Sequence, residues 1–222
     1  TIEMGETFSK DRLAPMIRDT PALVGKVRDA KSRDSGNTIL KKHFPGGHLT
    51  IAGANSAASL SSRPIRILLC DEVDRYPPSA GTEGDPVNLA RKRTATYRAR
   101  KKVALVSTPT LKGHSRIERA WLQSDQRRYF VPCPQCGHRH VLEWANVLVN
   151  EADLAQTSLV CPSCGALIRD SDRPLMLAQG QWIAQCPQHP IPGFHLNELY
   201  SPWRRLSEIA SDFLRARGNP EE

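Results

Sequence analysis

The sequence IRILLCDE at positions 65–72 ends an almost unbroken apolar run with two carboxylates. Pro64 bounds the run on one side and Asp71 bounds it on the other. Such a run is typical of a strand that is buried on both faces of a parallel sheet. Open α/β sheets place their ligand sites beyond the carboxyl ends of their strands. We therefore expect Asp71 and Glu72 to lie at a ligand-binding edge.

This acidic pair has two interpretations. In P-loop ATPases the first acid of such a pair holds Mg²⁺, directly or through water, and the second polarises the attacking water. Asp71 and Glu72 would take these roles in that order. A strand that ends in a solvated acidic turn would have the same sequence, so the segment leaves both interpretations open.

The segment VALVSTPT at positions 103–110 predicts a second buried strand followed by small hydroxyl residues. Residues 84–102 predict a helix, and the order strand, helix, strand indicates an α/β sheet. Many ATPases place a polar residue at the end of the strand beside the Mg²⁺-binding one, where it senses the γ-phosphate. Ser107 and Thr108 are the candidates, although an ordinary Ser/Thr/Pro turn would look the same.

The segments before these strands predict helices and a hairpin. Residues 38–54 contain two short alternating runs around Pro45-Gly46-Gly47, the pattern of a strand hairpin. Residues 9–30 predict two short helices that begin at a Ser9 cap and break at Pro21. The apolar residues at helical spacing are Leu13, Met16 and Ile17.

The second half of the chain has a different character. SRIERAWLQSD at 115–125 predicts a short amphipathic helix, and residues 129–170 predict short strands around two cysteine knuckles. Residues 171–203 are rich in Pro, Gly and Trp and show little helical period. The segment LSEIASDFLRARG predicts an amphipathic helix that ends at Gly218, with one apolar face formed by Leu206, Ile209, Ala210, Phe213 and Leu214.

Four of the six cysteines form two C-P-x-C-G knuckles that are separated by 24 residues. Each knuckle is a tight turn whose glycine accepts the positive φ that the turn needs. Four thiolates predict one closed, structural zinc site, with the ligands Cys133, Cys136, Cys161 and Cys164.

Other residues near this module have weaker signals. His138 and His140 could substitute as ligands, but we interpret them as surface histidines. Cys186 and His189 form a looser C-x-x-H pair that we interpret as structural, and Cys70 is expected to be a buried strand residue.

Composition favours an anionic partner. The chain of 222 residues can hold one domain or a domain plus a small module, and 31 Lys and Arg against 23 Asp and Glu give a net charge of +8. Nucleic acid is the first candidate. Seven basic residues lie within twelve positions, where they could hold DNA phosphates or form a solvated face. These are Arg91, Lys92, Arg93, Arg98, Arg100, Lys101 and Lys102.

The sequence predicts neither a membrane span nor a signal peptide. No run reaches the roughly 18 to 20 apolar residues of a membrane span, and the N-terminus lacks the apolar core of a signal peptide. We therefore expect an intracellular protein. Because residue 1 is Thr and a polar stretch follows, we also expect the chain to be part of a longer protein.

Longer segments carry a family resemblance. From about residue 7 to 217 the chain closely resembles the terminase large subunits of lambda-like tailed phages. The segments that carry it are SKDRLAPMIRDTP, SRDSGNTILKKHFPGGHL, GANSAASLSSRPIRILLCDEVDRYP, EGDPVNLARKRT, VSTPTLKGHSRIERAW, DQRRYFVPCPQCG and GFHLNELYSPW.

The resemblance implies an ATP-driven motor that pushes double-stranded DNA into a procapsid, coupled in the full-length protein to an endonuclease that cuts concatemeric DNA. LLCDE would be the Walker B strand, with Asp71 for Mg²⁺ and Glu72 as catalytic base, and STPT at 107–110 would couple hydrolysis to DNA movement. Arg63 would act on the γ-phosphate, either within its own subunit or across a subunit boundary as an arginine finger. A surface charge next to a proline at a strand entrance would have the same sequence, so this alternative stays open.

The resemblance also implies the fold, cofactors and partners. We expect part of a RecA-like P-loop ATPase sheet over residues 1–128, a zinc-ribbon module over 129–170, and a linker toward a nuclease domain over 171–222. ATP with Mg²⁺ and a structural zinc would be the cofactors. The terminase small subunit and the prohead portal would be partners of a homo-oligomer in the bacterial host cytoplasm, encoded by a phage or prophage.

The sequence departs from the family pattern in one respect that matters for activity. It contains no G-x-x-x-x-G-K-[ST] motif, and Gly25-Lys26 lacks the upstream glycine. We expect the phosphate loop before residue 1 and the nuclease acids beyond the last residue. The chain by itself should therefore neither bind ATP well nor cut DNA.

Two other functions compete with the packaging motor. The D-E-x-D box at 71–74 would suit a helicase, but STPT departs from the Ser-Ala-Thr segment that a helicase should carry. A zinc-ribbon nucleic-acid adaptor would explain the basic charge, but it needs only about 40 to 60 residues. The α/β half would then have no role, so we favour the motor.

Overall fold

The computed structural model describes residues 2–27 and 36–217. The chain divides into two compact units, Thr1–Ile117 and Glu118–Glu222. Both units mix helices with small sheets, which agrees with the predicted α/β class at this coarse level. The end of the predicted helical segment at 28–30 and the predicted helix stop at Gly218 lie outside the described residues.

The helices of the first unit are short. They are α1 (Ile2–Phe8), α2 (Ala14–Asp19), α3 (Ala57–Ser61), α4 (Pro86–Lys92) and the start of α5 (Arg116–Leu122), which runs across the unit boundary and confirms the helix predicted at 115–125.

The predicted helix start at Ser9 is wrong. A π-helical turn, Ser9–Leu13, joins α1 to α2, and Phe8 before it is already helical, with φ −56° and ψ −43°. An N-cap residue marks a helix start, but Ser9 is buried inside a helical run and donates its hydroxyl to the carbonyl of Ile39. The predicted break holds, because α2 ends at Asp19 and Pro21 follows.

The predicted hairpin is confirmed. Strands β1 (Lys41–Phe44) and β2 (Gly47–Thr50) pair antiparallel, with Phe44 opposite Gly47. The turn between them uses Gly46 at φ +86°, a conformation that glycine adopts without steric cost.

The two predicted sheet strands pair as expected. Strands β3 (Ile67–Cys70) and β4 (Lys102–Leu105) are parallel, with Ile67 opposite Lys102 and Cys70 opposite Leu105. Helix α4 lies between them in sequence, so the strand, helix, strand order is confirmed.

Burial of β3 on both faces is not observed. Cys70 is buried and packs with Val73, in the turn after β3, and with Val87 of α4. The side chains of Ile67 and Leu69 are 53% and 70% exposed. Successive side chains of a strand point to opposite faces, and here one face is covered. The prediction of two buried faces is therefore wrong for the described structure.

The helix predicted over 84–102 is shorter than expected. Helix α4 ends at Lys92, and a separate 3₁₀ segment, Ala95–Arg100, follows. Buried Thr94 donates its hydroxyl to the Arg91 carbonyl at 2.8 Å, a local bond that competes with helix continuation. The second half of the basic stretch consequently leaves the helix.

The second unit contains the other strands and two helices. The short strands predicted around the cysteine knuckles are confirmed, and β5 is the centre of the larger sheet, paired with β6, β10 and β11. A second sheet has the order β7-β8-β9. The elements are β5 (Arg127–Pro132), β6 (Arg139–Val141), β7 (Val147–Leu148), β8 (Ser158–Val160), β9 (Leu167–Ile168), α6 (Arg173–Ala178), β10 (Gln181–Ala184), β11 (Phe194–His195) and α7 (Leu206–Arg217).

The buried core of the second unit is formed by residues from many of its strands and helices. Residues 171–217, which lie in the predicted linker, supply five of the eleven residues of its buried cluster and include the helix α6. The apolar face of α7 is confirmed at its start, and Phe213 packs against Trp144 at 4.2 Å between ring centroids. The buried cluster contains Val131, Cys133, Leu142, Leu159, Cys161, Ile168, Met176, Leu199, Tyr200, Leu206 and Ile209.

Within the described ranges, none of the helices combines the length and the apolar character needed to cross a bilayer.

Candidate functional site

The acidic pair lies in a tight turn directly after β3. Asp71 and Glu72 are both exposed, and the Glu72 N–H donates to Asp71 Oδ1 at 3.1 Å. Glu72 adopts the left-handed conformation, with φ 53° and ψ 47°. For a residue other than glycine this costs about 1–2 kcal/mol, and such strain is often found at functional sites.

Parallel pairing brings the predicted hydroxyl residues to the same edge. The Asp74 N–H donates to Ser107 Oγ at 3.2 Å, and Ser107 Oγ donates to the Thr108 carbonyl at 3.0 Å. The Val73 N–H also donates to the Val106 carbonyl at 3.3 Å. The turn at 71–74 and the segment that starts at Ser107 are therefore direct neighbours, and Thr108 is exposed beside them.

Buried groups under the turn are held neutral. Burial raises the pKa of the Cys70 thiol. Burial, the neighbouring thiol and the Asp71 carboxylate raise the pKa of Tyr76 to about 12. The acidic pair therefore follows a thiol and lies near a phenol that both keep their protons at neutral pH.

Arg63 lies at the opposite edge of the sheet. It is exposed and precedes β3, and the Ile65 N–H donates to the Arg93 carbonyl at 3.0 Å. A strand of four residues is about 13 Å long, so its two ends are well separated. The structure does not bring Arg63 to Asp71 within one chain.

Sequence reasoning missed Asp74 and Arg116. The Asp74 carboxylate accepts hydrogen bonds from the N–H groups of Thr110 and Ile117, and Arg116 forms an ion pair with Asp85 at 3.0 Å. Asp74 could have been found from the sequence, because it is the third acid of the D-E-x-D box at 71–74. Arg116 had no signal, because an arginine at a helix start is common.

The basic stretch at 91–102 is divided among three elements. Arg91 and Lys92 end α4, Arg98 and Arg100 lie in the 3₁₀ segment, and Lys101 and Lys102 lead into β4. All six are exposed, whereas Arg93 is half-buried. In the described part of the chain, none of the seven forms an ion pair with a carboxylate.

The charge of the chain is also divided between the units. Lys and Arg outnumber Asp and Glu by 21 to 11 in the first unit, whereas acidic residues exceed basic ones by 12 to 10 in the second. The attraction for a polyanion therefore resides in the unit that contains the parallel strands.

The four knuckle cysteines converge. Their sulfur atoms all lie within 4.8 Å of one another. Cys133 and Cys164 are 3.9 Å apart, and Cys136 and Cys161 are 3.8 Å apart. These distances exclude disulfides, whereas a tetrahedral ion with bonds of about 2.3 Å to sulfur requires edges of about 3.8 Å. The donor set fits a zinc ion.

Each knuckle is the turn of a hairpin, and the two turns have the same geometry. The N–H groups of Gly137 and Gly165 donate to the carbonyls of Cys133 and Cys161 at 2.9 and 3.0 Å. Both glycines have positive φ, +73° and +72°. One knuckle joins β5 to β6 and the other joins β8 to β9, so the two hairpins present the four thiols to one point.

Backbone donors favour a thiolate in this cluster. Burial opposes ionisation of Cys161, but the N–H groups of Cys164 and Ser163 and the neighbouring thiols of Cys133 and Cys164 together outweigh it and lower its pKa to about 7. The N–H of Ala166 favours the thiolate of Cys164, but the neighbouring thiols and burial outweigh it and raise its pKa to about 12, so the first negative charge of the cluster falls on Cys161. A zinc ion requires thiolates, so this environment suits a metal ligand.

The nearby histidines do not join the cysteines. The interpretation of His140 as a surface residue is wrong, because it is 6% exposed and its Nδ1 lies 3.3 Å from the His138 carbonyl. His138 is exposed, as expected. The four knuckle cysteines form the metal-ligand cluster of the described residues, which includes neither of these histidines nor the pair Cys186 and His189.

Comparisons with known proteins give one consistent result. A family model described as the ATPase domain of the phage terminase large subunit gpA matches residues 1–182. The terminase large subunit of Enterobacteria phage P21 is 26% identical over 249 residues, which cover 99% of this chain and 38% of that protein. The terminase large subunit of Escherichia phage lambda is 23% identical over 247 aligned positions, which cover 96% of this chain and 37% of that protein.

The chain thus spans less than two-fifths of the length of these two relatives. No solved structure gives a significant match. The family match covers both the parallel strands and the cysteine cluster. This chain therefore belongs to the family of phage terminase large subunits.

Proposed function

We propose that this chain carries the Mg²⁺-binding and hydrolytic edge of an ATP-driven motor that packages double-stranded DNA into a procapsid. The observation that carries the proposal is the parallel pairing of β3 with β4, because it places Asp71, Glu72 and Ser107 at one edge. A protein of this family would combine the motor with an endonuclease that cuts concatemeric DNA.

The residues at this edge have distinct proposed roles. Asp71 fits a Mg²⁺ ligand because carboxylate oxygens suit a small, hard cation. Glu72 would orient and deprotonate the attacking water. The exposed side chain of Thr108 would face the γ-phosphate, while Ser107, which is engaged with the Asp74 N–H, would hold Thr108 in place. ATP binding would also need a phosphate loop, which these 222 residues lack.

Arg63 would serve a neighbouring subunit. Its position before β3 separates it from its own acidic pair by the length of the strand. An arginine finger that reaches the site of a neighbouring subunit does not need to lie near the acidic pair of its own chain. We therefore propose a homo-oligomer in which Arg63 of one subunit stabilises charge at the site of the next.

Family membership supports the remaining assignments. We propose a RecA-like P-loop sheet within residues 1–128 and a zinc-ribbon module over 129–170, with the segment 171–222 leading toward a nuclease domain. The small subunit and the portal would be partners in the host cytoplasm.

Substitutions at the acidic pair test the catalytic assignment. In a terminase large subunit that contains these residues together with a phosphate loop, Glu72→Gln should keep nucleotide binding and slow hydrolysis by about 10²- to 10⁴-fold, because the general base is lost. Asp71→Asn should instead weaken Mg²⁺-dependent nucleotide binding, because a charged metal ligand is lost. Steady-state hydrolysis and nucleotide-binding titrations measure the two effects.

Oligomers that mix two inactive variants test whether Arg63 acts on the site of a neighbouring subunit. Arg63→Ala and Glu72→Gln subunits should each be inactive alone, and mixing them should restore part of the activity, since each supplies the group that the other lacks. Full hydrolysis by the Glu72→Gln protein would refute the catalytic assignment. A mixture that stays inactive would refute the role of Arg63 in trans.

We also propose that the cysteine cluster holds one structural zinc ion. With four protein ligands the site would be closed, so the zinc would join two hairpins and leave no position for a substrate. Metal analysis of the 222-residue chain should give about one zinc per chain. Cys133→Ser and Cys161→Ser should each lose it, and Cys186→Ser should retain it. Zinc that survives the first two substitutions, or none in the wild type, would contradict this site.

The basic stretch is proposed to contact DNA phosphates. Its six exposed cations lack carboxylate partners among the described residues, and phosphate contacts give affinity without sequence preference. Replacing Arg100 and Lys101 by Gln should reduce the slope of log affinity for duplex DNA against log salt by up to about 2. Replacing Arg215 and Arg217, which lie in the acidic second unit, should leave the slope unchanged. Equal slopes for both double variants and the wild type would exclude these contacts.

A further inference from the structure

The carboxylate of Asp74 is fully engaged by the segment that follows β4. Its Oδ1 accepts the Ile117 N–H at 2.8 Å, and its Oδ2 accepts the N–H and the hydroxyl of Thr110 at 3.0 and 3.2 Å. The buried hydroxyl of Ser115 also bonds this carboxylate. Both carboxylate oxygens of Asp74 are therefore engaged by the loop at 107–117.

Arg116, from the segment that follows β4, binds the backbone of the turn that contains Asp74. Its guanidinium donates to the carbonyls of Val73, Tyr76 and Pro77 at 3.0, 2.8 and 2.6 Å. It also forms the ion pair with Asp85, and both side chains are mostly buried. Each segment thus sends one charged side chain into the backbone of the other. We call this pair of side chains, Asp74 and Arg116, the clasp.

The clasp limits the motion of the groups at the catalytic edge. The Asp74 N–H bonds Ser107, so the residue that anchors the loop at 107–117 also contacts the start of that loop. Hydrogen bonds to charged groups are the stronger ones in proteins, and breaking one leaves a desolvated charge. The segment at 107–110 therefore cannot shift relative to the turn at 71–77 unless the clasp opens.

The conformation of Glu72 adds a second reason for such a restraint. Its left-handed backbone is costly for a side-chain-bearing residue and persists only where the surroundings hold it. The contacts on the C-terminal side include those of Asp74 and Arg116 together with the bond from the Val73 N–H to the Val106 carbonyl. Burial opposes ionisation of Asp74, but the hydrogen bonds that it accepts outweigh burial and hold its pKa below the usual value. The clasp is consequently charged at neutral pH.

We propose that Asp74 and Arg116 are positioning residues for nucleotide hydrolysis, which hold Ser107 and Thr108 at a fixed distance from Asp71 and Glu72. This role rests on the proposed ATPase function and deepens it. Neither residue touches the nucleotide. Their effect on the reaction is exerted through the placement of the acidic pair and of Thr108.

The first test measures the clasp in the 222-residue chain, independently of any activity. Asp74→Asn puts an amide donor near the N–H of Thr110, so hydrogen exchange of the Thr110 and Ile117 amides should accelerate by about tenfold or more. The Val106 amide, which donates to the Cys70 carbonyl at 2.9 Å, should exchange as in the wild type. Asp153→Asn is a matched control, since Asp153 accepts a similar bond from the Ala155 N–H in the second unit. Unchanged exchange at Thr110 and Ile117 would overturn the clasp.

The second test measures the functional consequence in a terminase large subunit that contains a phosphate loop. Asp74→Asn should lower kcat by about 10- to 100-fold, because small misplacements of reacting groups have effects of this size, and should change KM for ATP by less than about threefold. Thr110→Ser keeps the hydroxyl and should retain kcat, whereas Thr110→Val should lower it. Thr110 is exposed and only Thr110→Val removes its hydroxyl, so this pair remains informative if Asp74→Asn does not fold.

The outcomes separate the two proposals. Hydrolysis that depends on Glu72 but is unaffected by Asp74→Asn and by Thr110→Val would overturn the positioning role alone. A rise in KM without a fall in kcat would also overturn it. Absence of hydrolysis in the parent protein would remove the proposed ATPase function and the positioning role with it.

Discussion

The parallel pairing of β3 with β4 is the constraint on which the rest of the first unit depends. Parallel strands have all their carboxyl ends at one edge, so the register that places Cys70 opposite Leu105 also brings the turn at 71–74 next to the segment that starts at Ser107. The same register places the exposed cations of Arg100 and Lys101 at the other edge. In the proposed function, these two short strands separate an acidic edge that would bind Mg²⁺ from a basic edge that would contact DNA phosphates.

The second unit is organised by a different interaction. Four sulfur atoms meet at the tips of two hairpins, and the apolar residues behind them form the buried cluster. Cys133 and Cys161 belong to that cluster and are almost fully buried, whereas Cys136 and Cys164 are exposed. Zinc binding would join the two sheets of this unit and would stabilise a core that is built from very short strands.

Local and periodic features were predictable from the sequence. The apolar runs before Asp71 and Ser107 predicted the two strands, and the repeated knuckle predicted the converging cysteines. Side-chain contacts between distant segments were not predictable, which is why Asp74 and Arg116 were missed. The exposure of Leu69 and the burial of Ser9 and His140 also depend on what packs against them, and a run of residue types contains no such information. The helix at 173–178 escaped notice because a segment this short shows no period.

Metal-directed cleavage tests the central claim most directly. Fe²⁺ would replace Mg²⁺ in a terminase large subunit with bound ATP, and ascorbate with peroxide would then cut the backbone next to the metal. The account predicts ATP-dependent cuts beside Asp71 and Glu72 and beside Ser107 and Thr108, with residues 98–102 left intact. ATP-dependent cuts at 98–102, or their absence from both segments of the acidic edge, would contradict the assignment of this edge as the nucleotide site.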